Sequence, residues 1–595
     1  MLASMAGTII SMFLFFLIFI LVIGGAISAA FSDFGKSSQT TTVKDNTILH
    51  IELDQPIIDR GPEDQFNFNF GPFSAASPIG LNQILENIKK AKEDDRIPGI
   101  LLDMSFVNAG MATVDEIRNA LIDFKTSGKW IVSYSEIYSQ KVYYLASVAD
   151  EIYVYPEGVV DFRGLNAGSV FFKGALEKLD IDAQIIRGSN NQFKSAVEPF
   201  FLDEMSQANR VQTEKWLGSI WNNIKSGISE ARNISEEDLQ TIANEYQVQD
   251  AHDAVALGLV SGTMYYDELI DLLKEKTETE PEKDLISVSL SKYLKTSVPG
   301  EEKIFDFKKA KIAVIYASGE INSGKSKDAT IGSETFAKAI REARRDTTIK
   351  AIVLRVNSPG GSALASDVIW RETLLAKETK PLIVSMGDVA ASGGYYISAA
   401  ADKIYAMPNT ITGSIGVFGM LPNMEGFFNK KLGVTFDGVK TAQYADFGEI
   451  SRPLTDSEYA ILQKGVDNIY STFLSRVSEG RDMSTSMIDS IGQGRVWSGT
   501  DAMDIGLIDA FGGLEAAIAE AAQLADLEDY VVKNYPKRKD PIEQLLEDFG
   551  MGVSQTFMSY QLGNDKELIK YFEEIKTIKE MQGVQARMPF MMEIK

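Results

Sequence analysis

The feature that most constrains the fold of this 595-residue chain is an internal repeat. Residues 130–156 (WIVSYSEIYSQKVYYLASVADEIYVYP) align without gaps to residues 382–408 (LIVSMGDVAASGGYYISAAADKIYAMP), and ten of these 27 positions are identical at an offset of 252. A second match, between residues 251–260 and 499–508, has nearly the same offset. Because self-similarity at a fixed spacing marks a repeated structural unit, we predict two domains of the same fold.

Helical and strand patterns alternate within each copy. In the first copy, predicted helices at 81–92 and 113–126 alternate with predicted strands at 97–104 and 130–134. This alternation is typical of parallel β-sheets with crossover helices, so we expect an α/β fold in both domains. The predicted organisation is a first domain, a polar linker, a second domain and a tail, the tail being helical and making packing or oligomer contacts; the respective ranges are 47–296, 297–304, 305–540 and 541–595.

The N-terminus has the composition of a membrane anchor. Residues 1–32 contain no charged side chain, and residues 9–27 are almost wholly apolar. Nineteen apolar residues in a helix rise by roughly the ~30 Å thickness of a bilayer core. We therefore predict a transmembrane helix within 1–32 and a polar tether over 33–46. A cleaved signal peptide is the alternative, although this apolar stretch exceeds the ~7–15 residues usual for one.

Composition excludes several kinds of chemistry. The chain has no cysteine, which rules out disulfides, thiolate metal sites and cysteine nucleophiles. His50 and His252 are its only histidines, so a site with several histidine ligands is not expected. A net charge of −24 argues against nucleic-acid binding, which requires a basic face.

Ser392 is the candidate nucleophile. It lies in the small-residue turn Ala391-Ser392-Gly393-Gly394, between a predicted strand and a predicted helix. The second copy also contains a glycine loop, NSPGGS at 357–362, after another predicted strand. In the first copy, Gln140 stands at the position of Ser392 and the sequence SFVNAG replaces the glycine loop. A nucleophile with a glycine-rich loop therefore belongs to the second copy only.

A nucleophilic serine needs a base, and the repeat favours a lysine. His50 aligns with Val314 inside an apolar strand and His252 aligns with Thr500, so neither histidine is in a context that indicates catalysis. A lysine acts as a base when burial lowers its pKa. Lys194 of the first copy aligns with Gly448 of the second at an offset of 254. The first copy thus has a lysine without the serine and the second has the serine without the lysine, which suggests one shared site; by itself the pattern does not select Lys194 among the many lysines.

Four motifs together resemble the signal peptide peptidase A family in its long, tandem-domain form, within the Clp-protease/crotonase-like superfamily. They are RVNSPGGS (355–362), AASGGYY (390–396), TGSIGV (412–417) and FKSAVEPF (193–200). The resemblance covers nearly the whole chain, and it implies two tandem Clp-protease/crotonase-like domains after an N-terminal transmembrane helix.

The resemblance also implies roles for individual residues. Ser392 corresponds to the family's nucleophile and Lys194 to its general base. Ser414, in the TGSIGV motif, corresponds to a serine that orients the lysine. The backbone N–H groups of Gly360 and Gly393 are expected to form the oxyanion hole. Neither a metal nor a cofactor is implied.

The implied function is that of a membrane-anchored serine endopeptidase that degrades cleaved signal peptides through an acyl-enzyme. The expected substrates are then hydrophobic peptides, and the expected assembly is a homotetramer. The expected location is the bacterial inner (cytoplasmic) membrane, with the catalytic domains on the periplasmic side. Two alternatives remain open from the residues. One is a crotonase-like enzyme acting on acyl-CoA, and the other is a non-catalytic membrane scaffold that keeps the fold for assembly.

Overall fold

A computed structural model describes residues 43–62, 78–299, 309–327, 329–537, 584–588 and 593–594. The predicted anchor over 1–32 and most of the predicted tail lie outside these ranges. Within them, no helix combines the length and the apolar composition that a membrane crossing requires.

The first copy is built on a six-stranded sheet in which every neighbouring pair is parallel. Its central strands are apolar and almost fully buried, as expected for a sheet covered by helices on both faces. In spatial order the strands are Ser287–Ser289, Ile48–Ile51, Gly99–Asp103, Trp130–Tyr138, Glu151–Val160 and Gly262–Thr263.

The second copy repeats this sheet strand for strand, which confirms the internal repeat as a structural one. Six parallel strands occur in the equivalent order: Tyr530–Tyr535, Ala310–Ser318, Ile349–Ser358, Leu382–Ala391, Lys403–Ala406 and Ala510–Phe511. The strand Leu382–Ala391 pairs first with Lys403–Ala406 and, near its end, with Ile411–Gly413. Ile411–Gly413 pairs in turn with Val496–Ser498. The second sheet therefore has an extra branch at the carboxyl end of the strand that precedes Ser392.

The helices also correspond between the copies. Gly80 and Gly332 precede the first helix of each copy, and in the second copy Phe336, Ile340 and Ala343 recur at helical spacing on its buried face. The helices of the first copy are Leu81–Glu93, Met111–Lys125, Gln140–Ala146, Gln207–Arg232, Glu236–Asn244, Ala251–Ala256 and Tyr266–Lys276. Their counterparts are Ser333–Arg345, Ala363–Lys377, Gly393–Ser398, Asp456–Arg481, Thr485–Ile491, Gly499–Asp504 and Leu514–Leu524. Shorter elements are Ile57–Ile58, Ile79–Gly80, Ala167–Gly168, Lys173–Lys178, Ser195–Val197, Glu198–Phe201, Leu290–Tyr293, Phe427–Leu432 and Glu593–Ile594.

A third sheet joins both copies and the C-terminal segment. Its strands, in order, are Thr330–Gly332, Glu320–Asn322, Gly360–Ser362, Val584–Arg587, Phe418–Asn423 and Asp182–Arg187. We call Gly360–Ser362 the glycine strand and Val584–Arg587 the tail strand. The tail was predicted to be helical, whereas this part of it is extended because its backbone pairs with strands on both sides. The sheet places a segment of the first copy, Asp182–Arg187, beside the second copy.

A buried ionic cluster ties the two copies together. Arg355 Nε of the second copy donates to Asp59 Oδ1 of the first at 2.7 Å, and Arg355 Nη2 lies 2.6 Å from Glu116 Oε1. The side chains are 0% exposed for Arg355 and 3% exposed for each acid. Because a charge buried without a partner is costly, this cluster strongly favours one relative placement of the copies.

Candidate active site

Ser392 lies at the junction between the strand Leu382–Ala391 and the helix Gly393–Ser398. Its backbone has φ 55° and ψ −114°, a conformation that residues other than glycine rarely adopt. The turn is held by the Ser392 N–H, which donates to Gly413 O at 2.8 Å. The small neighbour Gly394 is required because a Cβ there would lie 2.6 Å from Ser358 O. A strained, tightly held backbone thus presents the Ser392 hydroxyl.

Lys194 of the first copy reaches this hydroxyl from the other side of the domain interface. Its Nζ lies 2.8 Å from Ser392 Oγ, although 198 residues separate the two in the chain. Lys194 comes just before the 3₁₀ turn Ser195–Val197, and Gly494 of the second copy packs directly on it. A Cβ on Gly494 would lie 2.6 Å from Lys194 Cβ, so only glycine permits this approach.

Burial favours the neutral form of the Lys194 amine. The residue is fully buried, and this loss of solvation lowers the pKa of its amine well below the usual 10.5. None of the carboxylates in the described part of the chain forms an ion pair with this amine that would oppose the effect. The site therefore favours the neutral amine, which is the form able to accept a proton.

Ser414 contributes two further contacts to the amine. Lys194 Nζ lies 3.0 Å from Ser414 O and 2.9 Å from Ser414 Oγ. Ser414 Oγ itself donates to Gly494 O at 3.3 Å, which leaves its lone pairs free to accept from the lysine. A neutral amine has two N–H donors and one lone pair. When both donors are directed to Ser414, the lone pair is left for the hydroxyl proton of Ser392, whose Oγ also lies 3.4 Å from Gly416 O.

Gly360 and Gly393, the two predicted oxyanion residues, lie side by side. A Cβ on Gly360 would be 2.7 Å from Gly393 N, and Gly360 has a φ of 96° that favours glycine. In this structure the Gly360 N–H donates to Ser358 Oγ at 3.1 Å. Ser358 was not singled out from the sequence, although it lies within the NSPGGS motif. A ligand oxygen would compete with Ser358 for this donor.

The tail strand passes directly over these glycines, which the sequence did not indicate. Ala586 O would lie 2.2 Å from a Cβ on Gly360 and 3.1 Å from one on Gly393. The Met588 N–H donates to Pro359 O at 2.8 Å. A peptide carbonyl is thus located next to the predicted oxyanion residues. Long-range strand pairing of a short segment leaves no periodic signal in the sequence that could have predicted it.

A cavity of about 920 Å³ continues from the end of the tail strand. Met588 and Val389 line it on the side of the second copy. Gln140, the counterpart of Ser392, lines it on the side of the first copy. The first copy therefore lines part of this cavity with the residue that corresponds to Ser392.

Both histidines lie elsewhere in the fold. His50 Nε2 is 3.2 Å from Asp103 Oδ2 and 3.8 Å from Glu52 Oε1, at the first sheet. Among the described residues, this trio is the group whose ligand atoms are close enough to hold a metal ion. His252 is exposed at the start of the helix Ala251–Ala256. Neither residue is a partner of Ser392.

Two protein-family profiles match this chain. The profile of Peptidase family S49 matches residues 123–280 and again residues 375–528, once in each copy. The profile of Clp protease matches residues 309–412, which include Ser392 and the glycine strand. These matches cover the segments from which the repeat was recognised.

Curated relatives match over most of their length. Protease 4 of Haemophilus influenzae is 35% identical over 586 residues, covering 95% of this chain and 92% of the relative. Protease 4 of Salmonella typhi is 35% identical over 552 residues, covering 89% and 86%. The chloroplastic serine protease SPPA of Arabidopsis thaliana is 35% identical over 522 residues, covering 86% and 74%.

Proposed function

Because the chain belongs to Peptidase family S49 and is thus a serine peptidase with two tandem domains, we propose that Ser392 and Lys194 form its catalytic dyad. The observation that carries this proposal is the 2.8 Å distance between Lys194 Nζ and Ser392 Oγ in a site where both side chains are fully buried. The protease relatives favour this function over an acyl-CoA enzyme or a scaffold.

The proposed reaction is acyl transfer to Ser392. Lys194 Nζ accepts the hydroxyl proton as Ser392 Oγ forms a bond to the scissile carbonyl carbon. The carbon–nitrogen bond then breaks, and the leaving amine takes the proton from Lys194. Water then attacks the carbonyl carbon of the acyl-enzyme and gives a proton to Lys194. The bond between that carbon and Ser392 Oγ breaks, Lys194 passes the proton to Ser392 Oγ, and the carboxylic acid is released. Ser414 keeps the lysine amine aligned throughout these proton transfers.

The developing oxyanion would be held by backbone N–H groups of Gly360 and Gly393. Their adjacency supports this role, as does the Ala586 carbonyl that lies against both residues. In the reaction, the substrate oxygen would replace Ser358 as the acceptor for Gly360. Donors of this kind typically contribute about 10²–10³-fold to the rate.

The proposed substrates are hydrophobic peptides, in particular signal peptides after their release. Backbone pairing of the tail strand with the strands on either side of it supports this proposal, because an extended peptide could pair beside Ser392 in the same way. We further propose that the apolar residues 9–27 anchor the protein in the bacterial inner membrane, with the two domains on the periplasmic side. A homotetramer, as the family resemblance implies, would restrict access to extended chains.

A fluorophosphonate probe tests the dyad directly. We expect mass spectrometry of the labelled full-length chain to find the adduct on Ser392. Ser392→Ala should abolish both labelling and the cleavage of a hydrophobic peptide. An adduct on any other serine, or full activity in Ser392→Ala, would refute the assignment.

A further inference from the structure

The tail strand occupies the groove in the manner of a bound peptide. It is antiparallel to the glycine strand on one side, with Gly361 opposite Ala586. On the other side it is antiparallel to the strand Phe418–Asn423. Its path next to Gly360 and Gly393 places its backbone where the proposed function requires a substrate backbone. The side chains of the tail strand therefore indicate which side chains the groove accepts.

One side chain of the tail strand makes a specific polar contact. Arg587 Nη1 donates to Glu320 Oε1 at 2.7 Å, and the two side chains are 6% and 27% exposed. A charge-assisted hydrogen bond that is largely shielded from water is among the stronger polar contacts in proteins. Glu320 therefore favours a cation at the position of Arg587.

The register of the sheet explains how this contact spans three strands. Arg587 lies opposite Gly360, and the parallel pairing of Ile321 with Gly361 places Glu320 beside Gly360 on the far side. Arg587, Gly360 and Glu320 thus form one row across three strands, and the side chains of Arg587 and Glu320 meet on one face of the sheet. The arginine side chain therefore reaches the glutamate across the intervening glycine strand.

The neighbouring position has the opposite character. Ala586 is fully buried and lies in the next row, with Gly361 and Ile321. Met588, after Arg587, is buried and lines the cavity of about 920 Å³. The groove therefore combines a small position, a basic position and an apolar position in consecutive residues.

We propose that Glu320 is a specificity-determining residue that selects a basic side chain at the substrate position opposite Gly360. This inference rests on the proposed peptidase function and adds a charge preference to its hydrophobic substrates. The selected peptide is extended, with a small residue before the basic one and an apolar residue after it.

The test uses three peptides built on Val-Gln-Ala-Arg-Met, the sequence of 584–588, with Arg, Gln or Glu at the fourth position. We expect the full-length enzyme to show a kcat/KM about tenfold or more higher for the Arg peptide than for the Gln peptide. Glu320→Gln should bring this ratio close to one, and Glu320→Lys should make the Glu peptide the preferred substrate. Glu334→Gln, which alters an exposed acid of the same domain, should leave the ratio as in the wild type. An unchanged ratio in Glu320→Lys would overturn the proposal.

Binding to the Ser392→Ala chain separates recognition from chemistry. Fluorescence polarisation of the same peptides should show the same order of affinities and the same reversal by Glu320→Lys. Charge-dependent binding without cleavage by the wild type would support the role of Glu320 and refute the peptidase function. If cleavage and binding are both independent of the peptide's charge, the proposed role of Glu320 is refuted and the peptidase function is not.

Amide hydrogen exchange measures the contact within the chain itself. In Glu320→Lys we expect faster exchange of the amides of 584–588 than in the wild type, since the lysine repels Arg587. Adding Arg587→Glu to this variant should restore slow exchange. Exchange that is unaffected by either substitution would contradict the contact on which the proposal depends.

Discussion

Ser414 holds the amine of Lys194 with two of its own oxygens, the carbonyl at 3.0 Å and the hydroxyl at 2.9 Å. Substitution Ser414→Ala removes the second contact and leaves the first. Because the freed amine can rotate away from Ser392, we expect kcat to fall by about 10–100-fold while KM changes little. Steady-state kinetics on a hydrophobic peptide measure both constants. Ser147→Ala, which removes a buried hydroxyl of the first copy that donates to Tyr144 O at 2.8 Å, should leave kcat unchanged; an equal loss in both variants would point to a structural role.

The activity should depend on the neutral form of Lys194. Burial lowers the pKa of this amine well below 10.5, so kcat/KM should rise with pH through that lowered pKa and level off above it. Lys194→Met should abolish activity at every pH, and Lys194→Arg should too because a guanidinium does not deprotonate. Lys380→Met, which removes a lysine bound to the carbonyls of Ala343 and Asp346, is the matched control. An active Lys194→Arg enzyme would contradict the proposed base.

The same lysine affects the pH dependence of stability. Between its lowered folded-state pKa and 10.5, the unfolded chain binds a proton at Lys194 that the folded chain does not. The free energy of unfolding therefore rises with pH across this window. Lys194→Met should remove that contribution, so its stability advantage over the wild type should be largest at low pH and shrink as the pH approaches 10.5. Urea unfolding at several pH values measures the difference, and a gap that widens with pH would contradict the assignment.

Gly360→Ala should disable the site by crowding it. The added Cβ would lie 2.2 Å from Ala586 O and 2.7 Å from Gly393 N, and the φ of 96° disfavours alanine. We expect kcat/KM to fall by about 10²-fold or more, as when an oxyanion donor is displaced. Gly128→Ala has a similar backbone penalty at φ 81° but no atom within 4 Å of the new Cβ, so it should stay active. Comparable kinetics in the two variants would argue against a role for Gly360.

Arg355 should contribute more to stability than an exposed arginine does. Arg355→Met leaves Asp59 and Glu116 buried without their cation, and we expect a loss of about 3–5 kcal/mol in the free energy of unfolding. Arg341→Met breaks the more exposed pair with Glu372 and should cost about 0–1 kcal/mol. Denaturant unfolding compares the two variants. A similar small loss in both would mean that the buried cluster does not stabilise the domain interface.

Asp115 should make the folded protein less stable as the pH rises. Burial raises the pKa of this carboxyl to about 7, although it accepts hydrogen bonds from Tyr144 and Asn409. The folded chain therefore binds this proton more tightly than the unfolded chain, and the associated stability is lost between pH ~4 and ~7. Asp115→Asn should be more stable than the wild type at pH 8, with the difference shrinking at pH 4. Asp504→Asn, at an exposed position, should show no such trend in urea unfolding.

Local patterns in the sequence are sufficient to predict the repeated architecture. The segments 130–156 and 382–408, which align without gaps, form equivalent strands and helices in the two domains. The parallel strands of the two sheets follow the same spatial order. The strand-to-helix turn at Ser392 was predictable because small residues interrupt an apolar run. The predicted helices at 81–92 and 113–126 occur at Leu81–Glu93 and Met111–Lys125. These features depend on residues close together in the chain.

The sequence by itself thus determined two α/β domains, a serine in one and a lysine in the other. Only the tertiary structure decided that Lys194 is fully buried with its amine 2.8 Å from Ser392 Oγ, because burial and contact across 198 residues depend on how the domains pack. The tail strand and its contact with Glu320 are of the same kind. A strand formed by four residues is specified by the partners on either side of it, and those partners come from distant parts of the chain.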